Sequence, residues 1–395
     1  MGCCAEPFWV RLPYTLIGTG TVGQLGELVK HLGGNKVLIV TDPGVVQAGL
    51  LEKVKQPLEK EGIEFGVFDN CEPDCPVNVA QSCAQFAREG GYDLMVGLGG
   101  GSVLDTTKFV SIAAAGADVS LESISGYVVN RPPRRGLQTI LIPTTAGTGS
   151  EISPAAVLVD VDGIKKAARH EYYLAKVAVV DPLMTQYLPP AITAQTGIDA
   201  LSHAFEAYLC PTPNVLADTL AEMTIKLISE NLRTAYRNGA QDLEARYKMA
   251  IAATYAMSTL FISGPTPNVS LYHAMGHSLQ IEAKTTHGIS LYLVMPVIME
   301  FNLMATPERF ARIANLMGEK VEGLPLREAA SKSIDAVKQL AMDIGLPQRL
   351  SDIGVKKEQI PKFVEVLFNN YAGRIKANPR PLSRDDAIKL YESAW

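Results

Sequence analysis

The first half of the chain alternates short β-rich runs with helical stretches. KVLIVTD (36–42), EFGVFD (64–69), DLMVGLGGG (93–101), QTILIPTT (138–145) and VAVVDP (177–182) are the strand candidates. Most are continuous apolar runs, the pattern of parallel strands buried on both faces. Helical patterns lie between them, as at 47–61 and 103–115. That alternation restricts the region to a parallel sheet covered by helices on both sides. After about residue 185 it stops. TQYLPPAITAQTG (185–197) reads as a Pro-marked connector, and helical stretches at 217–237, 243–262, 307–318 and 325–344 follow without convincing strands. The expectation is an α/β domain over 1–185 and an all-helical domain over 186–395.

Two glycine signals compete for a dinucleotide. GTGTVG (18–23) satisfies G-x-G-x-x-G between a β-like and a helix-like run, and Asp42 lies 19 residues after Gly23. A simple helix-entry turn has the same appearance. The rival, GLGGGSVLDTTK (97–108), ends an apolar strand and opens a helix. Consecutive glycines let backbone amides approach a phosphate closely, and the helix dipole favours its charge. PTTAGTGSE (143–151) adds hydroxyls at a second strand end. Strand C-termini are where open α/β sheets bind ligands, so these two loops make the better pyrophosphate site. Asp42 ends KVLIVTD. It suits the ribose hydroxyls of NAD and disfavours the 2′-phosphate of NADP; it equally suits a turn before Pro43-Gly44.

The second half concentrates metal-ligand chemistry. HAMGHSLQIEAKTTHG (273–288) holds three of the six histidines. TGIDALSHAFEAY (196–208) sets Asp199 and His203 four apart, on one helix face. His273 and His277 are also four apart, and His287 follows. Five candidate ligands therefore stand together: Asp199, His203, His273, His277 and His287. Ala274 stands where the zinc-protease pattern H-E-x-x-H needs Glu, which disfavours peptide hydrolysis. Three imidazoles and a carboxylate suit Fe(II) or Zn(II) with a coordination position left open. Such a cation is a Lewis acid; beside a nicotinamide it implies hydride transfer between an alcohol and an aldehyde or ketone.

Composition removes several classes. Of 395 residues, 47% are hydrophobic and 19% charged, and the net charge of −5 gives no sign of a nucleic-acid or anionic-membrane partner. The expectation is that no apolar run reaches the roughly 18 residues of a membrane span. MGCCAEPFWV lacks a signal-peptide layout and carries Glu6 where myristoylation wants Ser or Thr. A cytoplasmic location is expected. Six cysteines do not form a disulfide pattern; Cys71, Cys75 and Cys83 are expected as reduced structural thiols rather than a metal site.

GGGSVLDTTK, PTTAGTGSE, DPLMTQYLPPAITAQTGIDALSHAFEAY and HAMGHSLQIEAKTTHG together resemble the iron-containing (group III) alcohol dehydrogenase family, from about residue 15 to the C-terminal region. The resemblance implies a dehydroquinate synthase-like two-domain architecture. Its first domain, with a Rossmann-like sheet, binds the dinucleotide; its helical second domain binds metal and substrate. It implies NAD(H) and Fe(II), with Zn(II) possible, and a homodimer acting on a small-molecule alcohol or aldehyde. Asp199, His203, His273 and His287 match the family's metal ligands. His277 matches a catalytic histidine beside the metal and the nicotinamide. Gly100, Gly101 and Ser102 match the pyrophosphate loop, with Asp105 the motif acid at the helix start. Thr144, Thr145, Thr148 and Lys166 match cofactor-side residues, and Asp42 the position linked to NAD preference. GTGTVG is then a structural turn. Gln280, Thr286 and Thr107 depart from the usual Gly, Pro and Ala. Lys284 and the stretch KKAARHEYY (165–173) suggest a polar or anionic substrate, against the plainer reading of a solvated surface. The alternatives are a dehydroquinate synthase-like lyase, a hydroxyacid-oxoacid transhydrogenase and a non-catalytic NAD or metal sensor.

Overall fold

The computed structural model describes residues 10–116, 135–160, 163–262 and 270–395. The N-terminal myristoylation-like stretch, apart from Val10, lies outside the described residues. The chain divides into two compact units, one spanning Arg11–Leu188 and the other containing Pro189–Trp395.

The first unit is built on a six-stranded sheet. Its strands are β1 (Tyr14–Ile17), β2 (Lys36–Val40), β3 (Glu64–Phe68), β4 (Leu94–Gly99), β5 (Gln138–Pro143) and β8 (Val177–Val180). The order is β1-β8-β5-β4-β2-β3, and every neighbouring pair is parallel. Helices α1 (Leu25–His31), α2 (Pro43–Gln47), α3 (Leu50–Lys60), α4 (Val77–Gly90) and α5 (Gly101–Ala114) alternate with the strands. The continuous apolar runs have a direct cause. On β2, Leu38 and Val40 belong to one core cluster while Val37 and Ile39 belong to another. On β4, Met95 joins the first cluster and Leu94, Val96 and Leu98 the second. Side chains alternate across a strand, so both faces of these strands are covered and every position must be apolar. Each fully buried Val, Leu or Ile contributes about 1.5–3 kcal/mol.

Two local features differ from the sequence expectation. The helix expected over 47–61 is α3 and starts at Leu50; a separate short helix, α2, precedes it, and Gly49 between them takes φ 73°, a left-handed conformation that ends the first. KKAARHEYY is not simply surface. It begins with β7 (Lys165–Arg169), which pairs antiparallel with β6 (Ala155–Val159) in a separate two-stranded sheet. Ala and Lys are poor strand formers, so β7 carried no strand signal. Its Ala168, with Ala156 and Leu158 of β6, closes the cluster behind β4.

The second unit is helical among its described residues: α6 (Pro190–Tyr208), α7 (Val215–Asn238), α8 (Leu243–Ile262), α9 (Leu271–Ala283), α10 (His287–Asn302), α11 (Pro307–Leu316), α12 (Leu326–Asp343), α13 (Ile360–Asn370), α14 (Ala372–Ile375) and α15 (Arg384–Ala394). Helix α6 is buried on nearly all sides from Gly197 to Tyr208 and packs against α7, α8 and α10. Segment 287–305 corrects the expectation of no span-length apolar run, with a mean hydropathy of 1.6. His287, Ser290, Glu300 and Asn302 interrupt the run, and 72% of it is buried inside the protein, as for a core helix. Two glycines set how closely the histidine-bearing helices approach. A Cβ on Gly288 would lie 2.4 Å from the Gln195 carbonyl oxygen of α6, and one on Gly276 would lie 2.8 Å from Leu291 of α10. A side chain at Gly288 would run into backbone and require a helix to move, whereas one at Gly276 would require the Leu291 side chain to shift.

Candidate metal centre and nucleotide loops

Helix α6 presents Asp199, His203 and Glu206 at i, i+4 and i+7, which the 3.6-residue period places on one face. Helix α9 presents His273 and His277, and His287 opens α10. The ligand atoms of Asp199, His203 and His273 lie within 4.8 Å of one another. Asp199 Oδ1 is 3.6 Å from Nε2 of His203, 3.6 Å from Nε2 of His273 and 3.5 Å from Nε2 of His287. Asp199 is only 4% exposed, yet its Oδ1 has no hydrogen-bond partner, and neither has the buried Nδ1 of His203. A buried polar oxygen left without a donor costs about 1–3 kcal/mol, and a charged one more, unless a cation faces it. Three imidazole nitrogens and one orphaned carboxylate oxygen form a set of donors that could hold a divalent cation.

The electrostatics follow the same geometry. Burial alone would raise the Asp199 pKa, but the His203, His273 and His287 rings hold it well below the usual carboxylate range. Burial pushes His203 down to about 4. Burial would lower His273 as well, but the carboxylates of Glu206 and Asp199 carry it up to about 9.

Two of the surrounding residues were missed from sequence, and a third was noted only as a departure. Glu206 Oε2 is 2.7 Å from His273 Nδ1, and its Oε1 accepts from the backbone N–H groups of Ser270 and His273 at 2.9 and 3.0 Å. This carboxylate fixes the His273 ring with Nε2 turned to Asp199. Its i+7 spacing from Asp199 was a usable signal. Gln280, noted as a departure, has its Oε1 3.2 Å from His287 Nδ1 and so orients that ring instead. His277 lies beside the cluster, its ring centroid 5.7 Å from that of His273 and 5.1 Å from that of His287. Its Nδ1 is 2.9 Å from an Arg374 guanidinium nitrogen, and its ring is 5.5 Å from that of Tyr371. An arginine can only donate, so Nδ1 accepts and the His277 proton belongs on Nε2. Arg374 follows His277 by 97 residues, and nothing local in the sequence announces it.

In the α/β unit, Gly100 precedes α5 in extended conformation, and no side chain caps the helix start. The Gly99 carbonyl accepts from Thr144 N at 2.9 Å, joining the glycine loop to the threonine loop. A Cβ on Gly101 would lie 2.6 Å from Thr148 Cγ2, and one on Gly100 3.4 Å from Thr145 Cγ2. Gly100, Gly101, Ser102, Thr144, Thr145 and Thr148 are thus brought together. Thr107 fills the space beside Gly97 and donates to the Val103 carbonyl, which accounts for that departure.

Asp105 has a different place from a simple loop ligand. Its Oδ1 accepts from Ser150 Oγ and from Lys108 Nζ, and its Oδ2 accepts from Val157 N at 2.9 Å. Lys108 is wholly buried, its pKa lowered by that burial, and also donates to Ser150, Ser153 and the Ala155 carbonyl. Asp42 Oδ1 accepts from Val45 N at 3.0 Å, so it caps α2. Lys166 Nζ is 2.7 Å from Asp160 and Lys165 Nζ 2.6 Å from Asp74; His170 accepts from Tyr172 N. Lys284 is exposed at the end of α9. In GTGTVG, the amides of Gly20 and Val22 both donate to the buried carboxylate of Asp181, at 3.1 Å each. The donors a phosphate would use there are already taken. Cys71, Cys75, Cys83 and Cys210 are buried free thiols, and burial raises Cys71 to about 12, which makes it inert as a ligand or nucleophile.

The comparisons agree over the whole length. The iron-containing alcohol dehydrogenase model matches residues 13–182, and the C-terminal model of the Fe-containing alcohol dehydrogenase family matches 193–395. The chain is 36% identical to 1,3-propanediol dehydrogenase of Klebsiella pneumoniae, covering 96% of each. It is 34% identical to lactaldehyde reductase of Escherichia coli strain K12, covering 96% of this chain and 97% of that one. The crystal structure of a 1,3-propanediol oxidoreductase superposes with a TM-score of 0.93 at 34% identity, over 99% of this chain and 100% of that chain. With its parallel sheet, glycine loop and aspartate–histidine centre, this chain belongs to the iron-containing alcohol dehydrogenase family of oxidoreductases.

Proposed function

We propose that the protein is a metal-dependent, NAD(H)-linked alcohol dehydrogenase that acts on small alcohols and aldehydes through a centre held by Asp199, His203, His273 and His287. The observation that carries this reading is the buried, unpartnered Asp199 Oδ1 facing three imidazole nitrogens at 3.5–3.6 Å. The bound groups supply Lewis acidity from Fe(II), or Zn(II) on the same donor set, and hydride chemistry from the nicotinamide. Glu206 and Gln280 keep the His273 and His287 rings turned toward Asp199. His277 is the catalytic histidine: Arg374 donates to its neutral Nδ1, so its Nε2–H donates a hydrogen bond to the oxygen that gains charge during reduction, or to the water that delivers the proton there.

On the cofactor side, the Gly100–Gly101–Ser102 amides at the α5 N-terminus hold the pyrophosphate. Thr144, Thr145 and Thr148 line the same loop. Asp42 keeps one oxygen on α2 and offers the other to the ribose, in line with NAD over NADP. Asp105 acts by holding Ser150 and β6 in place, and Lys166 lies to the cofactor side while paired with Asp160. The domain assignment is 1–185 for the dinucleotide and 186–395 for metal and substrate. The buried free thiols accord with a cytoplasmic location, and a homodimer acting on small molecules, not on nucleic acid or membrane, completes the reading.

The test is a purified-protein assay of aldehyde-dependent NADH oxidation with elemental analysis of the same sample. Iron or zinc near one per chain and activity lost to chelators are expected. Turnover undiminished in fully metal-free protein would falsify the reading.

A further inference from the structure

Two carboxamides are buried at the C-terminal end of α10, where apolar side chains would need no partners. Asn302 ends α10 with no exposed surface, and Asn378, beyond α14, is 5% exposed. Each donates from Nδ2 to the other's Oδ1, at 2.7 and 2.8 Å, and Asn378 Nδ2 also donates to the Arg380 carbonyl at 2.7 Å. Such a pair adds little net stability over an apolar pair of the same shape, because water satisfies the same groups in the unfolded chain. What it adds is direction. Two reciprocal hydrogen bonds fix distance and angle together, which packing alone does not.

The segment that this pair holds is the one that reaches the proposed centre. Helix α14 is a single turn, too short to persist without outside support. Its N-terminal side is tied to α13, where Tyr371 N donates to the Leu367 carbonyl at 3.0 Å. Tyr371 and Ile375 bury their side chains and supply adhesion. Past the end of the helix, Ala377 N donates to the Arg374 carbonyl and Asn378 N to the Ile375 carbonyl, both at 3.1 Å. Asn378 therefore stands one hydrogen-bonded turn from Arg374, which donates to His277 Nδ1 at 2.9 Å. Asn302 is at the opposite end of α10 from His287, 16 residues or roughly 23 Å of helix away. Its effect on the centre must travel through Asn378.

We propose that Asn302 and Asn378 are positioning residues for the reaction: their paired carboxamides hold the Tyr371–Asn378 turn in the register that keeps Arg374 on His277 Nδ1, and with it the Nε2–H tautomer. The proposal rests on the reading of His277 as the catalytic histidine and adds to it a support remote from the centre.

The experiment compares the zinc-loaded wild-type enzyme with N378A, N302A and the apolar double variant N302L/N378L, each alone and combined with R374M. It measures kcat, KM for propanal and for NADH, metal content and thermal stability. Nitrogen NMR of the histidine-labelled protein reads the His277 tautomer, its signals identified by their loss in His277→Ala. N378A and N302A should each lower kcat about 10- to 100-fold, the usual loss when a reacting group is misplaced by about 1 Å. Metal content and KM for NADH should stay unchanged. The His277 ring should pass from one tautomer, protonated on Nε2, to a mixture. N302L/N378L should melt close to wild type yet keep the low kcat, because hydrocarbon of similar shape fills the space without direction. In the R374M background none of these substitutions should lower kcat further. Wild-type kcat and tautomer in N302L/N378L would overturn the proposal and reduce the pair to core packing. So would losses that multiply with that of R374M, or a His277 ring unchanged in both single variants. Wild-type protein whose His277 tautomer depends on the pair, but which oxidises no NADH with aldehyde, would keep the positioning role and remove the dehydrogenase reading.

Discussion

Three of the four histidines at the centre have a neighbour on the second ring nitrogen, and that neighbour assigns the task; the buried Nδ1 of His203 has no hydrogen-bond partner. Glu206 serves His273, Gln280 serves His287 and Arg374 serves His277. Replacing Glu206 with Ala should weaken metal binding about 10- to 100-fold, the usual effect of losing such a partner, as read by competition with a chelator. An unchanged affinity would mean that Glu206 only braces the Ser270 turn. His277→Ala should keep the metal and lower kcat by about 10²–10⁴-fold, while His273→Ala should empty the site. The pH dependence has a definite sign. His273 is raised to about 9, above its ordinary 6.5, so in metal-free protein its contribution to stability is complete below 6.5 and lost as pH rises through 9. His203, lowered to about 4, acts oppositely and only below 6.5, where the unfolded chain takes up a proton first. Metal-free protein should therefore lose thermal stability between pH 6.5 and 9. Metal uptake at pH 7 should release about one proton, because the neutral imidazole is the ligand. A flat melting profile across that window would contradict the His273–Glu206 pairing. The histidines themselves were legible because four of six fall in two short clusters at helical spacing. Glu206 was legible in principle, at i+7. Arg374 was not, because only the tertiary packing of α14 on α9 brings it to His277.

Among the elements, the two glycine motifs show where spacing stops being informative. Both open onto helical structure, and both satisfy the stereochemistry of a phosphate turn. The difference lies in Asp181, which fills the first turn's amides from 159 residues away and leaves nothing comparable at α5. Two substitutions should separate them. D181A removes the acceptor for three amides, those of Gly20, Val22 and Leu183. It should cost about 1–3 kcal/mol of stability in a denaturant melt and leave KM for NADH unchanged. Gly101→Ala forces a Cβ against Thr148 and should raise KM for NADH about tenfold or more, from about 1–3 kcal/mol of overpacking in the bound loop. The reverse pattern would return the cofactor to GTGTVG. Strands β2, β4, β5 and β8 could be read directly because burial on both faces leaves only apolar residues. The β6–β7 pair could not, because two of its core-facing residues are the small Ala156 and Ala168, and β7 consists of Lys, Ala and Arg, which carry no strand pattern.

For the molecule as a whole, the sequence's change of rhythm near residue 185 is the imprint of two different burial problems. A parallel sheet covers both faces with helices, whereas the helical unit buries one central helix, α6, and hangs its chemistry on it. All four proposed metal ligands come from the helical unit, and the glycine and threonine loops come from the α/β unit. Each ligand should therefore stabilise its own unit by mass action, by about 2.7 kcal/mol at a concentration a hundred times its Kd. Hydrogen exchange can see this separately for each. Iron or zinc added to metal-free protein should slow exchange in α6, α9 and the start of α10. NADH added to the same metal-free protein should slow it at the α5 N-terminus and over 144–150. The reason is local: a cation satisfies the buried Asp199 oxygen and locks three rings, whereas a pyrophosphate satisfies the uncapped amides of α5. If the metal instead protected the α5 loop and left α6 unchanged, the aspartate–histidine cluster would not be its site, and the orphaned Asp199 oxygen would need another explanation.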